Sequence, residues 1–374
     1  MMRKKIIKTI FLCRWLPVCC AMLLFACENM VQYIDVDVAN QPPMLAVTAT
    51  IDTDGSFFIS FTEGRSLSSY RNGRSESETI IRQGKITLYD VTANSIVHLI
   101  DSSNNSGFDL SLRSSGSGYT TIVPGLHFEA GHTYRLTLEL EDYPPATATA
   151  LMPDAPIVKE ALPDLLQPKH YRNAYFVEPF NPNTFSVLSI DCYPVLLRLA
   201  DNSPDRDYYM VYLKTAWRYP GEPATYSHRN IAISDMAVVQ DNPDVAASSL
   251  ETDSEVSALV FEKMLLSDMS FAGDTGAINL LVDADAMKQS SGKVGDLPCD
   301  ASFRSAVTTY LYVAHLTSAS YAYYRSLALQ QEGMGFFSEP VSIASNIENG
   351  YGCFSAVSTT RVPIAEYTSC GAMY

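Results

Sequence analysis

The chain has 374 residues, with 41 Asp/Glu against 26 Lys/Arg and a formal net charge of −15. Such a surface repels nucleic acid, whose binding rests on Lys/Arg contacts to phosphate, and it equally repels anionic lipid. The length suits two domains, at about 100–200 residues each.

The chain opens on a basic segment, Arg3, Lys4, Lys5 and Lys8, with Arg14 behind it. An apolar run then extends from Trp15 to Ala26. That run is too short to cross a hydrocarbon layer of roughly 30 Å, which takes about 20 residues. Basic flank, short apolar core and small closing residue describe a secretion signal over 1–26. Leu24 and Ala26 before Cys27 resemble a lipobox, with Phe25 bulkier than usual between them. Cys19 and Cys20 lack a small residue in front. The expectation is a lipoprotein acylated at Cys27, palmitate included, since two chains give stable anchoring. An ordinary cleaved leader or an uncleaved anchor is the alternative. Cleavage leaves 348 residues with charge −20, because the leader holds five Lys/Arg and no Asp/Glu. After Cys27 the cysteines are Cys192, Cys299, Cys353 and Cys370. Two bridges in an oxidising compartment, one bridge, or free buried thiols all fit; the absence of C-x-x-C argues against a metal knuckle.

Residues 27–41 read as a lipidated tether, in which Ile34, Val36 and Val38 alternate with Asp35 and Asp37; it is a linker or an added edge strand. Pro42-Pro43 stops it. Met44–Ile51 alternates as a strand, Asp52-Thr53-Asp54-Gly55 forms a hairpin turn, and Ser56–Phe61 returns. Ser66–Glu78 reads as a loop. Lys85–Asp90, Ser95–Ile100, Gly118–Val123, Thr133–Leu140 and Thr147–Leu151 are further strands. Short strands at near-regular spacing predict an immunoglobulin-like sandwich over 42–152, closed by Met152-Pro153-Asp154-Ala155-Pro156.

Residues 153–374 read as a larger β-rich domain with one or two short helices, so the fold class is mostly β. Val195–Leu199, Tyr208–Leu213, Ala232-Ile233, Val238-Val239, Ala277–Val282 and Ser305–Leu316 are its strands, the last the strongest in the chain. One helix follows, capped by Thr317 or Ser318, with Tyr321, Tyr324, Leu327 and Ala328 at helical spacing and an end near Gln331-Glu332-Gly333. Tyr323 lies off the Tyr321/Tyr324 side and is expected to be exposed. Tyrosines crowd this half, at Tyr208, Tyr209, Tyr212, Tyr219, Tyr321, Tyr323 and Tyr324; they serve sheet packing or an interface.

Two stretches carry a family resemblance: Leu316–Leu327 with its serines and tyrosines, and Phe336-Phe337-Ser338-Glu339-Pro340 leading to Ser345-Asn346-Ile347-Glu348-Asn349-Gly350-Tyr351-Gly352-Cys353-Phe354. They resemble the C-terminal signature of a Bacteroidetes lipoprotein family, domain of unknown function 4249. Leu199-Ala200-Asp201 through Asp207-Tyr208-Tyr209 and Phe261 through Ser267-Asp268 fit the same pattern. The resemblance implies a mostly β lipoprotein, encoded beside a TonB-dependent outer-membrane transporter, with no catalytic residues. Cys353 departs from the family's apolar residue, and the tail Pro363–Tyr374 departs too; a Cys353–Cys370 link would be particular to this chain.

The signature itself has two readings. Asn346, Asn349, Gly350 and Gly352 are turn formers that tolerate positive φ, with Ile347, Tyr351 and Phe354 as core anchors. Alternatively it is a ligand or partner loop, with Asn346, Asn349, Tyr351 and the helical Tyr323 as contacts.

Tests for chemistry are negative. Asp201-x-Ser203-x-Asp205-x-Asp207 alternates oxygens like a calcium loop but has Arg206 where glycine is needed and Tyr212 where glutamate is needed. His98, His127, His132, His170, His228 and His315 include no helical zinc pair, and His315 reads as a packing histidine. Gly116-Ser117-Gly118 is not a nucleophile elbow. No metal, no cofactor and no enzyme activity are expected. The leading expectation is an outer-membrane lipoprotein, surface-exposed, acting as a binding or accessory module with a TonB-dependent transporter. A structural or adhesive surface protein of pilus-associated type, and a hydrolase with a scattered site, are the other two readings.

Overall fold

The computed structural model describes residues 44–64, 79–81, 84–101, 110–112, 119–165, 168–177, 187–200, 205–219, 221–229, 231–233, 258–268, 274–287, 293–294, 297–298, 304–332 and 342–370. The leader, Cys27 and the tether lie outside the described residues, as do Gly116-Ser117-Gly118, Asp201, Ser203, Val238-Val239 and Cys299.

The chain is mostly β. Its first half runs β1 (Met44–Asp52), β2 (Phe57–Gly64), β3 (Thr79–Ile81), β4 (Gly84–Asp90), β5 (Ser95–Asp101), β6 (Leu110–Leu112), β7 (Tyr119–Val123), β8 (Thr133–Leu140) and β9 (Ala146–Leu151). Then come β10 (Ile157–Pro163), β11 (Lys169–Val177), β12 (Val187–Ala200), β13 (Tyr208–Arg218), β14 (Thr225–Arg229), β15 (Ile231–Ile233), β16 (Ala258–Phe261), β17 (Lys263–Ser267) and β18 (Thr275–Asp283). After the short α1 (Ala284–Met287) follow β19 (Lys293–Val294), β20 (Leu297–Pro298), β21 (Arg304–Leu316), α2 (Ser318–Glu332) and β22 (Gly350–Cys370).

β22 is the spine. Its first part, Gly350–Val357, pairs in parallel with β1, and Val357–Cys370 pairs antiparallel with β21. The result is a sheet ordered β14-β13-β21-β22-β1-β2-β7, with β17 also on β13. One β22 position is extra at the Thr309/Tyr310 register shift, beside Pro363. Proline has no N–H for the ladder, and a bulge is where a strand tolerates it.

Alternation then assigns the two faces of this sheet. On the inner face, Leu45, Val47, Ala49 and Ile51 of β1 and Phe354 and Ala356 of β22 join Ile86, Leu88, Leu136 and Leu138 in one buried cluster. Those last four belong to the sheet β5-β4-β8-β9. Farther along, Val211, Leu213, Leu311, Val313 and Ile364 pack with Val195, Leu197, Ile278 and Leu280. Those partners belong to the sheet β10-β12-β11-β16-β15-β18. One long sheet therefore covers two smaller ones, side by side. The connection between them is tied to its inner face: the Ser358 hydroxyl donates to the Pro153 carbonyl and Thr360 Oγ1 to the Pro156 carbonyl at 2.9 Å. His315 Nδ1 lies 2.8 Å from the Asp154 carbonyl, so this histidine is satisfied within the packing.

The turn after β4 gives a pH dependence. His132 Nδ1 lies 2.8 Å from Asp90 Oδ2. That hydrogen bond raises the His132 pKa above 6.5. Burial pushes Asp90 up, but the His132 hydrogen bond and the Ala93 and Thr92 backbone N–H groups outweigh it and hold the carboxyl below 3.8. The histidine's contribution is therefore complete below pH 6.5 and is lost as pH rises through its elevated value; Asp90's is present above pH 3.8 and is lost in acid. The stability advantage of the wild type over His132→Ala, read as the difference in urea midpoint, should shrink as pH rises from 6 to 9, because His98 and His228, both lowered by burial, titrate the opposite way in both proteins.

Cys192 and Cys353 are free and buried. Burial pushes the Cys192 thiol up to about 12, which makes it a poor nucleophile. The Cys353–Cys370 link is excluded by the fold. Both residues lie in β22, where 17 residues at about 3.3 Å each separate them by roughly 56 Å; a bridge needs Cα atoms about 4.4–6.8 Å apart.

Candidate functional site

The Asn/Gly signature builds the junction between β22 and β1. Asn346 clasps the backbone of Phe354: its Oδ1 accepts from Phe354 N at 2.9 Å and its Nδ2 donates to Phe354 O at 2.8 Å. Asn349 has φ 56°, and its Nδ2 donates to the Pro145 carbonyl at 3.1 Å. Glu348 exchanges two backbone hydrogen bonds with Thr147 of β9. Gly352 has φ +107°, and a Cβ there would sit 1.9 Å from the Val47 carbonyl oxygen. Ile347 and Phe354 enter the core, whereas Tyr351 does not: it is 47 % exposed. The anchor role expected of Tyr351 is thus replaced by a surface position.

The helix is capped as its sequence suggests, with Thr317 Oγ1 accepting from Ser320 N at 3.2 Å. It packs on the outer face of the long sheet. Tyr321 stacks on Tyr208 at 4.3 Å and joins Met210, Ala314, Leu316 and Val357. Tyr323 is buried, contrary to the exposure expected from its helical phase. Its hydroxyl lies 3.4 Å from Thr48 Oγ1, because the sheet extends under α2 as far as β1 and meets that side of the helix too.

The helix covers only part of this outer face. The part beyond it holds a pocket of about 670 Å³ lined by Tyr212, Lys214, Tyr226, Tyr312 and Arg361 on the sheet, with Thr359 beside them and the β1–β2 turn, Asp52 to Ser56, as its wall. The lining follows from register. Tyr212 lies opposite Tyr312, and Tyr312 opposite Arg361, so they share a face. Lys214 is two residues beyond Tyr212, hence on the same side. The volume falls in the range of about 300–1,000 Å³ usual for small-molecule sites.

The Tyr212 and Tyr312 rings stack with centroids 5.0 Å apart and planes 9° from parallel. Lys214 Nζ lies 5.2 Å from each centroid, and a cation is attracted to a ring at such a distance. Arg361 stands 5.4 Å over the Tyr310 ring and hydrogen-bonds the hydroxyls of Tyr312 and Tyr226. Burial pulls the Lys214 ammonium pKa down, with Asp54 and Asp52 opposing. Burial also pushes the Tyr212 phenol up, so it stays a neutral donor.

The acidic wall is occupied differently. Asp52 Oδ2 accepts from Thr359 Oγ1 at 2.6 Å, and its Oδ1 accepts from Thr53 Oγ1 and Asp54 N, both at 3.3 Å. Its pKa is raised by burial, those hydrogen bonds notwithstanding. Asp54 Oδ1 accepts from Ser56 N at 2.8 Å. Among the described residues no group of three or more His, Cys, Asp or Glu side chains could hold a metal ion.

None of Tyr323, Asn346, Asn349 and Tyr351 lines this pocket. The two asparagines share one structural turn, Tyr323 sits under the helix, and Tyr351 is on the surface. The sequence places Tyr212 among tyrosines of sheet packing or an interface and Asp52-Thr53-Asp54 in a hairpin turn without joining them to Lys214, Tyr226, Tyr312 or Arg361; Tyr212-x-Lys214 and Tyr310-x-Tyr312 on neighbouring strands are the signal: period-2 tyrosines on the polar side of buried strands.

One family description matches residues 31–362, nearly the whole chain. The chain belongs to the family called Domain of unknown function (DUF4249). The DUF4249 match spans every residue of the pocket, from Asp52 to Arg361. No curated protein matches the chain.

Proposed function

We propose that the protein is a lipid-anchored binding module of the outer membrane that works beside a TonB-dependent transporter in nutrient uptake, and that the pocket on the long sheet holds its ligand. The observation that carries the reading is that pocket: convergent tyrosines, two cations and a hydroxyl-rich turn, about 670 Å³ in volume, on an otherwise acidic chain. The basic, then apolar, opening segment and the lipobox-like stretch before Cys27 support the anchoring half of the proposal. The packing of β1, β2 and β7 against β5-β4-β8-β9 suits an immunoglobulin-like sandwich in the first half. No catalytic role enters the proposal.

Anchoring is tested by metabolic labelling with an alkyne palmitate and by fractionation. The wild type should carry label and sediment with outer membrane; Cys27→Ala should lose both. A Cys27→Ala protein that stays labelled and membrane-bound contradicts the anchor. Protease added to intact cells should degrade the wild type if it faces outward.

A further inference from the structure

We propose that the pocket takes a neutral saccharide through a pair of vicinal hydroxyls that bridge Lys214 to Asp54; this deepens the binding role above and rests on it. Charge balance comes first. The lining holds two carboxylates, Asp52 and Asp54, and two cations, Lys214 and Arg361. Asp54 and Asp52 both act electrostatically on Lys214 and oppose the effect of burial on its ammonium. Arg361 hydrogen-bonds the Tyr312 and Tyr226 hydroxyls. Lys263, opposite Tyr212 on β17, is offset by the adjacent Glu262. The site is compensated within itself. An ionic ligand would shed its hydration to enter and find no charge left over to receive it.

Balanced charge leaves hydrogen-bonding capacity open. An ammonium carries three donors, yet among the described residues Lys214 makes no hydrogen bond; its Nζ lies over the Tyr212 and Tyr312 rings, 5.2 Å from each centroid. On the turn, Asp54 Oδ1 accepts from Ser56 N at 2.8 Å, which leaves Oδ2 as an acceptor. Cation and carboxylate therefore line one pocket and attract each other without touching. A vicinal diol closes that gap with no net charge: one hydroxyl accepts from Lys214 and its neighbour donates to Asp54 Oδ2. The Thr53 and Ser56 hydroxyls stand on the same wall for the remaining sugar hydroxyls. Tyr226, 48 % exposed, offers a ring for the apolar C–H face of a pyranose. The volume of about 670 Å³ has room for a short oligosaccharide.

The test is calorimetric titration of the full-length lipoprotein in a polyoxyethylene detergent, whose head group carries no sugar, with neutral trisaccharides of glucose, mannose, galactose and xylose. A galacturonate trisaccharide and a blocked triglycine serve as the comparison. At least one neutral trisaccharide should bind about tenfold or more tightly than either, the discrimination given by one charged hydrogen bond. Lys214→Met and Asp54→Asn should each weaken that binding by about tenfold with an unchanged melting temperature. The double variant should lose less than the product of the two, because both groups hold one diol. Removing either bridging hydroxyl from the bound sugar should weaken binding to the unaltered protein to a similar degree. Binding of the uronate or the blocked peptide as tight as that of the neutral sugars, binding of none of the probes, or full affinity in Lys214→Met or Asp54→Asn would each overturn the assignment. Neutral saccharide binding without a transporter partner would instead count against the transport role alone, and a transporter partner without saccharide binding against the ligand class alone.

Discussion

Gly352→Ala is expected to destabilise the chain by on the order of 4 kcal/mol or more, placing it in the small class of substitutions that remove most of a domain's stability. Two costs coincide. The residue holds φ +107°, where an L side chain is strained. Its Cβ would also lie 1.9 Å from the Val47 carbonyl oxygen, a backbone atom fixed in the β1–β22 ladder. Relief requires β22 to move away from β1, and that opens the cluster containing Val47, Phe354 and Ala356. Urea unfolding of the purified chain measures the effect. Gly350→Ala is the comparison: its Cβ would meet Ile347 Cγ2 and the Leu45 carbonyl at 2.9 Å, without the positive φ. It should cost clearly less. A Gly352→Ala midpoint within about 1 kcal/mol of wild type contradicts this account of the junction.

Asn346→Ala should cost about 2–3 kcal/mol, because two backbone groups of Phe354 lose their partner at once and each orphaned polar group costs about 1–3 kcal/mol, less where water reaches it. Asn346→Asp separates the two bonds. The carboxylate can still accept from Phe354 N but cannot donate to Phe354 O, so the loss should fall between wild type and alanine. Neither variant should change ligand binding by the folded protein, since Asn346 is not part of the pocket lining. A folded Asn346→Ala protein that fails to bind would restore the partner-loop reading of the signature.

Strands were legible wherever alternation was clean. Met44–Ile51, Thr133–Leu140 and Ser305–Leu316 are strands within a residue at either end, and the helix begins and ends as its cap and glycine suggest. β22 was not legible. Gly350, Gly352 and Pro363 are residues that usually interrupt strands, yet the 21-residue element runs through all three. Each has a tertiary reason: close approach of β1 at the glycines and a bulge beside the proline. Local propensity cannot contain those reasons. Nor could the sequence disclose that β22 pairs in parallel with β1, roughly 300 residues earlier.

The pocket was hidden for the same reason. Asp52, Lys214, Tyr312 and Arg361 come from four segments, and only the pairing of β13, β21, β22 and β1 sets them on one face. The tyrosine surplus pointed to the right half of the chain but divides there into two uses. Tyr208, Tyr321 and Tyr323 bind the helix to the sheet, whereas Tyr212, Tyr226 and Tyr312 line the pocket. Helical phase alone misjudged Tyr323, because it takes no account of how far the sheet reaches under α2.

The central claim, a lipid-anchored module that serves a transporter, is tested most directly by affinity purification of the C-terminally tagged protein from detergent-solubilised outer membranes, followed by mass spectrometry of what accompanies it. The account expects a TonB-dependent transporter at near-stoichiometric abundance, retained through washing and absent from a tagged, unrelated lipoprotein control. Recovery of the protein without such a transporter, or with fibre subunits in its place, would contradict it.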